Sequence, residues 1–307
     1  MLFCSVTSSL HLLIGILTNP FSIGKILLPI KHIITFEGTP SIMQNLNQFL
    51  YEHQILLTDA RGRKYLETLS PGGKFQCHLG FIEHQNIVGT YVGSWVTTSK
   101  NHLLFAEFPS FEDAVTLINR ATQIIYPKDL ALIINKANIQ EGDCVIEAGL
   151  GSGILTSAIL RNIGSKGHVT SYEINPSVIP LARANIATLT NGMENYLIKN
   201  SNINRCSLTK GVDSIILDLP EPWKILTKLS DSLKPGGRLL CFLPTILQVH
   251  KLTSALHDHF LFTSVQTTET MQRQWHITKN SARPSHRMIG HTGFITMAIR
   301  CLPRHQD

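Results

Sequence analysis

Between residues 54 and 108 the apolar positions fall in short runs: ILLTD, KYLETL, FQCHLGFI, IVGTYVG, SWVTTS and HLLFAEF. The turn-forming segments ARGR, SPGG, EHQN and SKNH separate them. Short β-branched and aromatic runs bounded by Gly, Pro, Asn and Ser read as strands, so a small β-barrel or sandwich is expected here. Ser110 with Asp113 three residues on reads as a capped helix start, with Asp where Glu or Gln is usual. After Arg120 strands and helices alternate. The expected strands are 144–149, 168–174, 196–200, 214–219 and 238–244, with two more at 262–270 and 292–301. Helices are expected over 152–163, up to about residue 189 (with Pro180 delaying the start), over 223–233 and over 246–257. Residues 235–237, Pro-Gly-Gly, are expected to form a turn. The last two strands are joined by a long basic loop, which suggests an antiparallel edge. The order suits an α/β, Rossmann-like doubly wound sheet of seven strands.

The first 42 residues break this pattern. Their apolar runs are interrupted at Asn19-Pro20 and Lys25 and are shorter than the ~18 residues that span a bilayer. A basic leader is absent. An over-extended start, a targeting segment and a disordered arm are the readings that fit. The expected organisation is an extension (1–42), a small β domain (43–115) and an α/β domain (116–307).

Charge adds a direction. The chain has 27 Lys and Arg against 21 Asp and Glu, beside 14 His. From Met271 onward Arg273, Lys279, Arg283, Arg287, Arg300 and Arg304 face a single acid, Asp307. Such a segment is either a solvated tail or a footprint for a polyanion. The six cysteines include no CxxC pair, so disulfides and zinc are not expected. Cys144 and Cys241 read as reduced core thiols, which fits a cytoplasmic protein.

Four segments carry candidate chemistry. In EAGLGSG, Gly149, Gly151 and Gly153 open a turn where a ligand can approach the backbone and a helix N-terminus. A dinucleotide fingerprint would need glycine at Ile154. The spacing is GxGxG with Glu147 before it, which favours S-adenosylmethionine over NAD. Glu173, at the end of the second strand of this domain, is placed to accept from ribose hydroxyls. In RATQIIYPKD, Pro127 starts a helix, and Tyr126 is either packing or an aromatic that stacks on a base. In DLPEPW, Asp218 ends a buried strand and stiff prolines follow. The strand should end beside the glycine turn, so Asp218 faces the reacting methyl, while Glu221 and Trp223 are less defined.

These segments, with the late RPSHRMIGHTGFITMAIR, together resemble the tRNA (adenine-58-N1)-methyltransferases. The likeness runs from about residue 46 to 301. GxGxG is shared by many methyltransferases; Tyr-Pro-Lys-Asp, Asp-Leu-Pro-x-Pro-Trp and Gly-His-Thr-Gly are far more specific. The resemblance implies a small N-terminal β domain, a class I methyltransferase domain and a homotetramer acting on tRNA. It implies that Glu147, Gly149, Gly151, Gly153 and Glu173 hold S-adenosylmethionine, with Gln123 near its methionine end. Tyr126 then helps place a flipped adenine, and Asp218 is the catalytic acid. Arg283, Arg287 and His291 contact the tRNA, with Thr292 near the pocket. Two positions depart from the family. Leu150 stands where Thr is usual, and Asn202 stands where an acid meets the cofactor's adenine; an amide oxygen can still accept there. Two rivals remain at this stage: a methyltransferase with another substrate, and a non-catalytic tRNA-binding subunit.

Overall fold

The computed structural model describes residues 47–120 and 123–303. The expectations for residues 1–42, for Cys4 and for the terminal Arg304 and Asp307 lie outside these.

The N-terminal part is built on antiparallel strands. β1 (Gln54–Thr58), β2 (Lys64–Thr68), β5 (Ser94–Thr97) and β6 (Leu103–Glu107) form one sheet in the order β2-β1-β6-β5. β3 (Lys74–Cys77) and β4 (Gly80–Glu83) pair as a separate hairpin. Its turn splits the expected FQCHLGFI strand in two, and Gly80 takes φ 110° just past it. Asp59 shapes the β1–β2 turn, accepting the Arg61 and Arg63 N–H groups at 2.8 and 3.0 Å. Phe49, Ile55, Leu57, Phe75, Ile82 and Leu104 form the core. The expected strand IVGTYVG is absent. The segment turns instead, with Gly89 and Gly93 at φ 85° and 89°, and its one bridge joins Tyr91 to Gln48. β-branched content alone does not make a strand where glycines hold the left-handed region.

The segment then enters the helical layer. α1 (Phe111–Leu117) is capped as expected: Ser110 Oγ accepts the Asp113 N–H at 3.1 Å. Asp113 does not close the box on backbone; its carboxylate takes the Ser110 hydroxyl at 2.6 Å and Lys64 of β2 at 2.5 Å. α2 (Pro127–Ala137) follows, with Pro127 in its first turn.

Seven strands make the second sheet: β7 (Cys144–Ala148), β8 (His168–Glu173), β9 (Tyr196–Asn200), β10 (Val212–Leu217), β11 (Leu233–Leu243), β12 (Phe262–Glu269) and β15 (Phe294–Arg300). Their order is β12-β15-β11-β10-β7-β8-β9. Between β12 and β15 lies a further hairpin, β13 (Trp275–Thr278) with β14 (Ser281–Pro284). The connecting helices are α3 (Ile154–Ile163), α4 (Ile179–Leu189), α5 (Leu226–Ser232) and α6 (Ile246–Asp258). Pro180 lies in the first turn of α4, after a short 3-10 turn (Pro176–Val178).

Side chains alternate across this sheet with period two. Val145, Ile216, Leu240 and Phe242 pack with α2, α3 and α4 on one face. Ile146, Ile215, Leu217, Leu239 and Cys241 pack with α5 and α6 on the other. Both faces are covered, as in doubly wound folds.

The last two strands form the expected antiparallel pair at one edge of the sheet, while the expectation for Cys144 is corrected. β15 lies between β12 and β11 and is antiparallel to both. It carries Ile295, Thr296, Met297 and Ala298 buried in succession, a pattern that needs neighbours on both sides. β12 takes the edge; only Phe262 is buried, and its other positions are half-buried or exposed. Cys144 is exposed at the start of β7, whereas Cys241 is buried; burial raises the Cys241 thiol far above its ordinary range.

The sheet order reverses at β7, which pairs with β8 on one side and β10 on the other. At such a switch point the loops leave in opposite directions and open a crevice at the C-terminal ends of the strands.

Candidate functional site

The crevice is framed by backbone. Gly149 follows β7 at φ 95°. A Cβ there would lie 2.4 Å from the Asp218 carbonyl oxygen, so only glycine lets the turn touch the end of β10. The Asp218 N–H donates to the Ala148 carbonyl at 2.9 Å. Gly153 serves packing: its Cβ would meet the Ala182 carbonyl of α4 at 2.8 Å. Gly151 donates its N–H to Glu173 Oε2 at 3.2 Å, and Glu173 Oε1 accepts the Asn175 N–H at 2.8 Å. Buried Asn185 on α4 donates to the Ser152 and Asn119 carbonyls, both at 3.0 Å. Leu150 is buried in the core beneath the turn. The departure from Thr there changes packing under the turn and leaves the crevice wall unchanged.

A cavity of about 220 Å³ opens beside this turn. Gly149, Glu173, Ile174, Asn202, Ile203 and Leu219 are among its lining. Ile174 is largely exposed and Ile203 buried, so apolar surface flanks the acid. Asn202 uses its side-chain oxygen to cap a short 3-10 turn, accepting the Asn204 N–H at 2.9 Å; its second lone pair remains. The donor set fits S-adenosylmethionine: a strand-end carboxylate for vicinal hydroxyls, apolar side chains for a flat base, an amide for its polar edge, and a backbone turn with no Cβ in the way.

Glu147 does not line this cavity. It is 0% exposed, beneath the turn. Its Oε2 accepts the Thr156 hydroxyl at 2.5 Å and the Ser171 hydroxyl at 2.6 Å. Its Oε1 is buried and has no partner. Burial pushes its carboxyl up to about 7, against the two hydroxyls, which favour ionisation.

Asp218 differs. By surface area it is exposed, yet protein surrounds most of it, and that enclosure raises its carboxyl to about 6. Both hold for a side chain on the floor of an open crevice. For ionisation the enclosure weighs more, because desolvation acts beyond the contact layer. The loop after Asp218 is tied down. Gln248 donates to the Pro220 carbonyl at 3.1 Å, Pro222 is buried, and Glu221 pairs with Lys224 at 2.5 Å. Trp223 packs against the α5–α6 core with Lys251 over its ring, which assigns it to packing.

A second cluster forms around the start of α2. Tyr126 is half-buried there and lines a cavity of about 250 Å³ with Arg287, Met288, Ile289 and Thr292. Beneath it Asp129 is fully buried. Lys128 donates to Asp129 Oδ1 at 2.8 Å, to the Thr270 carbonyl at 2.7 Å and to Thr292 Oγ1 at 2.7 Å. Thr292 in turn donates to Asp129 Oδ2 at 2.7 Å. The Tyr-Pro-Lys-Asp and Gly-His-Thr-Gly segments are thus one buried clamp. Lys128 and Asp129 were missed as functional positions, although their motif was noted.

The expected tRNA contacts divide. Arg287 joins Tyr126. Arg283 stays on the exposed β13–β14 hairpin with its guanidinium against His286. His291, expected as a substrate contact, is exposed and also staples two segments of the chain. Its Nδ1 meets Glu269 Oε1 at 2.7 Å and its Nε2 meets the Pro244 carbonyl at 2.8 Å. The bond to Glu269, then that to Pro244, raises its imidazole above the ordinary range. Gln123 is exposed on the segment before α2.

A family model described as the tRNA methyltransferase complex GCD14 subunit matches residues 109–285, and a TrmI-like N-terminal model matches residues 49–96. The chain is 32% identical over 268 residues to tRNA (adenine(57)-N(1)/adenine(58)-N(1))-methyltransferase TrmI of Methanocaldococcus jannaschii, covering 79% of this chain and 93% of that protein. It is 33% identical over 247 residues to tRNA (adenine(58)-N(1))-methyltransferase TrmI of Thermus thermophilus, covering 80% and 96%. Among solved structures, TrmI from Aquifex aeolicus superposes with a TM-score of 0.74 at 25% identity, covering 83% of this chain and 100% of that one. A SAM-dependent O-methyltransferase from Thermotoga maritima gives 0.80 at 30%, covering 84% and 97%. The GxGxG turn, the acid closing β10 and the clamped Tyr-Pro-Lys-Asp segment thus stand in a chain that belongs to the tRNA (adenine-58-N1)-methyltransferase family.

Proposed function

We propose that this enzyme transfers a methyl group from S-adenosylmethionine to N1 of adenine 58 in the T-loop of tRNA. The observation that carries the reading is Asp218: an acid whose backbone is fixed against Gly149 at the open end of β10, next in the chain to Leu219 of the cofactor cavity. Bound S-adenosylmethionine supplies an activated methyl on a sulfonium. Gly149, Gly151, Glu173 and Asn202 hold it, and Gln123 adjoins its methionine end. The target N1 is engaged in a base pair, so the base is extruded to react. Tyr126, with Arg287 beside it, supports the extruded adenine. The positive charge that leaves the donor spreads over the adenine N1 and its exocyclic amine. Ionised Asp218 accepts from that amine and stabilises the cation, and the stiff loop keeps its reorganisation small.

The partner is tRNA. The segment from Thr270 to His291 contains Arg273, Lys279, Arg283 and Arg287 and no acid, which suits phosphate contacts. We extend the reading to a homo-oligomer that works in the cytoplasm. The exposed hairpin β13–β14 supports the first, and the free cysteines support the second. Among the described residues no helix is long and apolar enough to cross a membrane.

The test is transfer from labelled S-adenosylmethionine to unmodified tRNA, with the product nucleoside identified and mapped. 1-methyladenosine at position 58 is expected. Asp218→Asn keeps a hydrogen-bond acceptor but loses the charge, so most turnover should vanish while cofactor binding persists. Unchanged turnover would remove Asp218 from the mechanism. Retained tRNA binding with no transfer in the wild type would point to a non-catalytic subunit.

A further inference from the structure

Among the described residues Asp59, Asp129 and Glu147 are buried carboxylates, and they are treated differently: Asp59 pairs with Arg63. Asp129 has Lys128 at 2.8 Å and the Thr292 hydroxyl at 2.7 Å. Glu147 has only the hydroxyls of Thr156 and Ser171, both on Oε2. Its Oε1 meets no donor, and no cation pairs with it among the described residues. A buried carboxylate without a cation is costly unless it is neutral. The neighbouring charges make this worse. Beyond β10 stands Asp218, and at the end of β8 stands Glu173; both raise the Glu147 carboxyl further. From α3 the Thr156 hydroxyl faces it, and the first two turns of that helix, Ile154 to Leu160, carry no ionisable side chain. Three acids therefore share one glycine turn; Lys224 also lines the cavity but is paired with Glu221, and among the described residues no cation pairs with Glu147, Glu173 or Asp218. Balance can arrive with the ligand. S-adenosylmethionine is a net cation through its sulfonium, and the thioether product left after transfer has lost that charge.

We propose that Glu147 is a specificity residue for the methyl donor: it carries a proton in the cofactor-free enzyme, releases it when the sulfonium cofactor enters, and thereby favours donor over product. This rests on the cofactor reading above. The proton leaves to solvent on donor binding and returns when the uncharged product occupies the turn, so the cycle balances. The carboxyl lifted to about 7 is part protonated near neutral pH, where such exchange can be read. A group one unit above the working pH is about nine-tenths protonated, so the donor-to-product affinity ratio should fall about tenfold from pH 8 to pH 6.

The test is calorimetric and needs no turnover. S-adenosylmethionine and S-adenosylhomocysteine are titrated into the enzyme at pH 6.5 in buffers of different ionisation enthalpy, and the protons exchanged are read from the slope. The wild type should release protons with the donor and fewer with the product. Glu147→Gln should remove the larger part of that difference, and Asp218→Asn should remove the smaller part, since Asp218 is raised to about 6 and also raises Glu147. Equal proton counts for the two ligands, or a Glu147→Gln enzyme that still releases as the wild type does, would overturn the proposal. If near-ultraviolet circular dichroism shows that Glu147→Gln has not folded, Ser171→Ala replaces it. Removing one donor from Oε2 should move the pH of maximal release upward, and no movement would equally overturn the proposal. A wild type that binds neither ligand would instead sink the cofactor reading.

Discussion

Asp218 and Glu147 lie one residue from the ends of neighbouring strands, yet their environments ask opposite things of them. Asp218 must be ionised to stabilise a developing cation, and its carboxyl is raised to about 6. The rate of transfer at low tRNA should therefore climb with pH through a limb near 6 and then level. The limb belongs to the acid cluster as a coupled set, but Asp218→Asn should erase it along with most of the rate. A pH–rate profile with no acidic limb in the wild type would contradict this. Glu147 acts on stability. Its carboxyl sits at about 7 in the folded chain against an ordinary 4.5. Between those two values the folded state holds the proton more tightly than the unfolded state does. Stability from this group is thus full below pH 4.5 and is lost as pH rises through 7. The difference of about 2.5 pKa units corresponds to about 3 kcal/mol. Thermal unfolding of the cofactor-free protein at pH 5 and pH 8 should show that loss, and Glu147→Gln should flatten it. A variant with the wild-type slope would mean that the carboxyl is ionised throughout. At this scale the sequence was informative where spacing implied position. Glu147 was legible as an acid at the glycine turn. That it lies beneath the turn, facing two hydroxyls, depends on Thr156 and Ser171, and no local pattern ties those residues to it.

The elements explain why distant motifs travel together. Thr292 precedes β15, and Lys128 and Asp129 open α2, yet they form one buried knot. His291, one residue earlier, pins the ends of β11 and β12, and Gln248 at the start of α6 reaches the DLPEPW loop. The clamp predicts a stability effect with little effect on cofactor. Thr292→Val keeps the shape but strips Asp129 of a donor and Lys128 of an acceptor, which for buried charged partners costs about 1–3 kcal/mol. Urea unfolding at pH 7 should show this loss while affinity for S-adenosylmethionine stays within about twofold, since Thr292 lines the Tyr126 cavity and not the cofactor cavity. Unchanged stability would mean that the knot is incidental. The sequence marked both segments as specific and gave roles to Tyr126 and His291 but none to Lys128 or Asp129, because pairing across 163 residues leaves no periodic trace. The same limit explains β15. Its apolar run was read correctly as a strand, while its place inside the sheet depends on which neighbours need cover. IVGTYVG failed for a local reason, since its glycines outweigh its β-branched residues.

At the scale of the whole molecule one feature is out of balance with the rest. The hairpin β13–β14 has no layer over it. Register places Trp275 opposite Pro284 and Ile277 opposite Ala282, so these four share a face, while His276 and Arg283 share the other. Trp275 is 59% exposed and Ile277 72%. A two-stranded hairpin is marginal in water by itself, and an apolar face beside open strand edges invites a partner. A second copy of the chain would cover the apolar face while leaving the basic face for tRNA. Replacing Trp275 and Ile277 together by serine should therefore lower the mass in solution from a multiple of 34.2 kDa toward a single chain, as read by sedimentation or light scattering. Cofactor affinity should be unaffected, since neither residue lines that cavity. If the mass is unchanged while binding of tRNA weakens, the face belongs to RNA, with Trp275 as a stacking surface, and it is not a contact between copies of the chain.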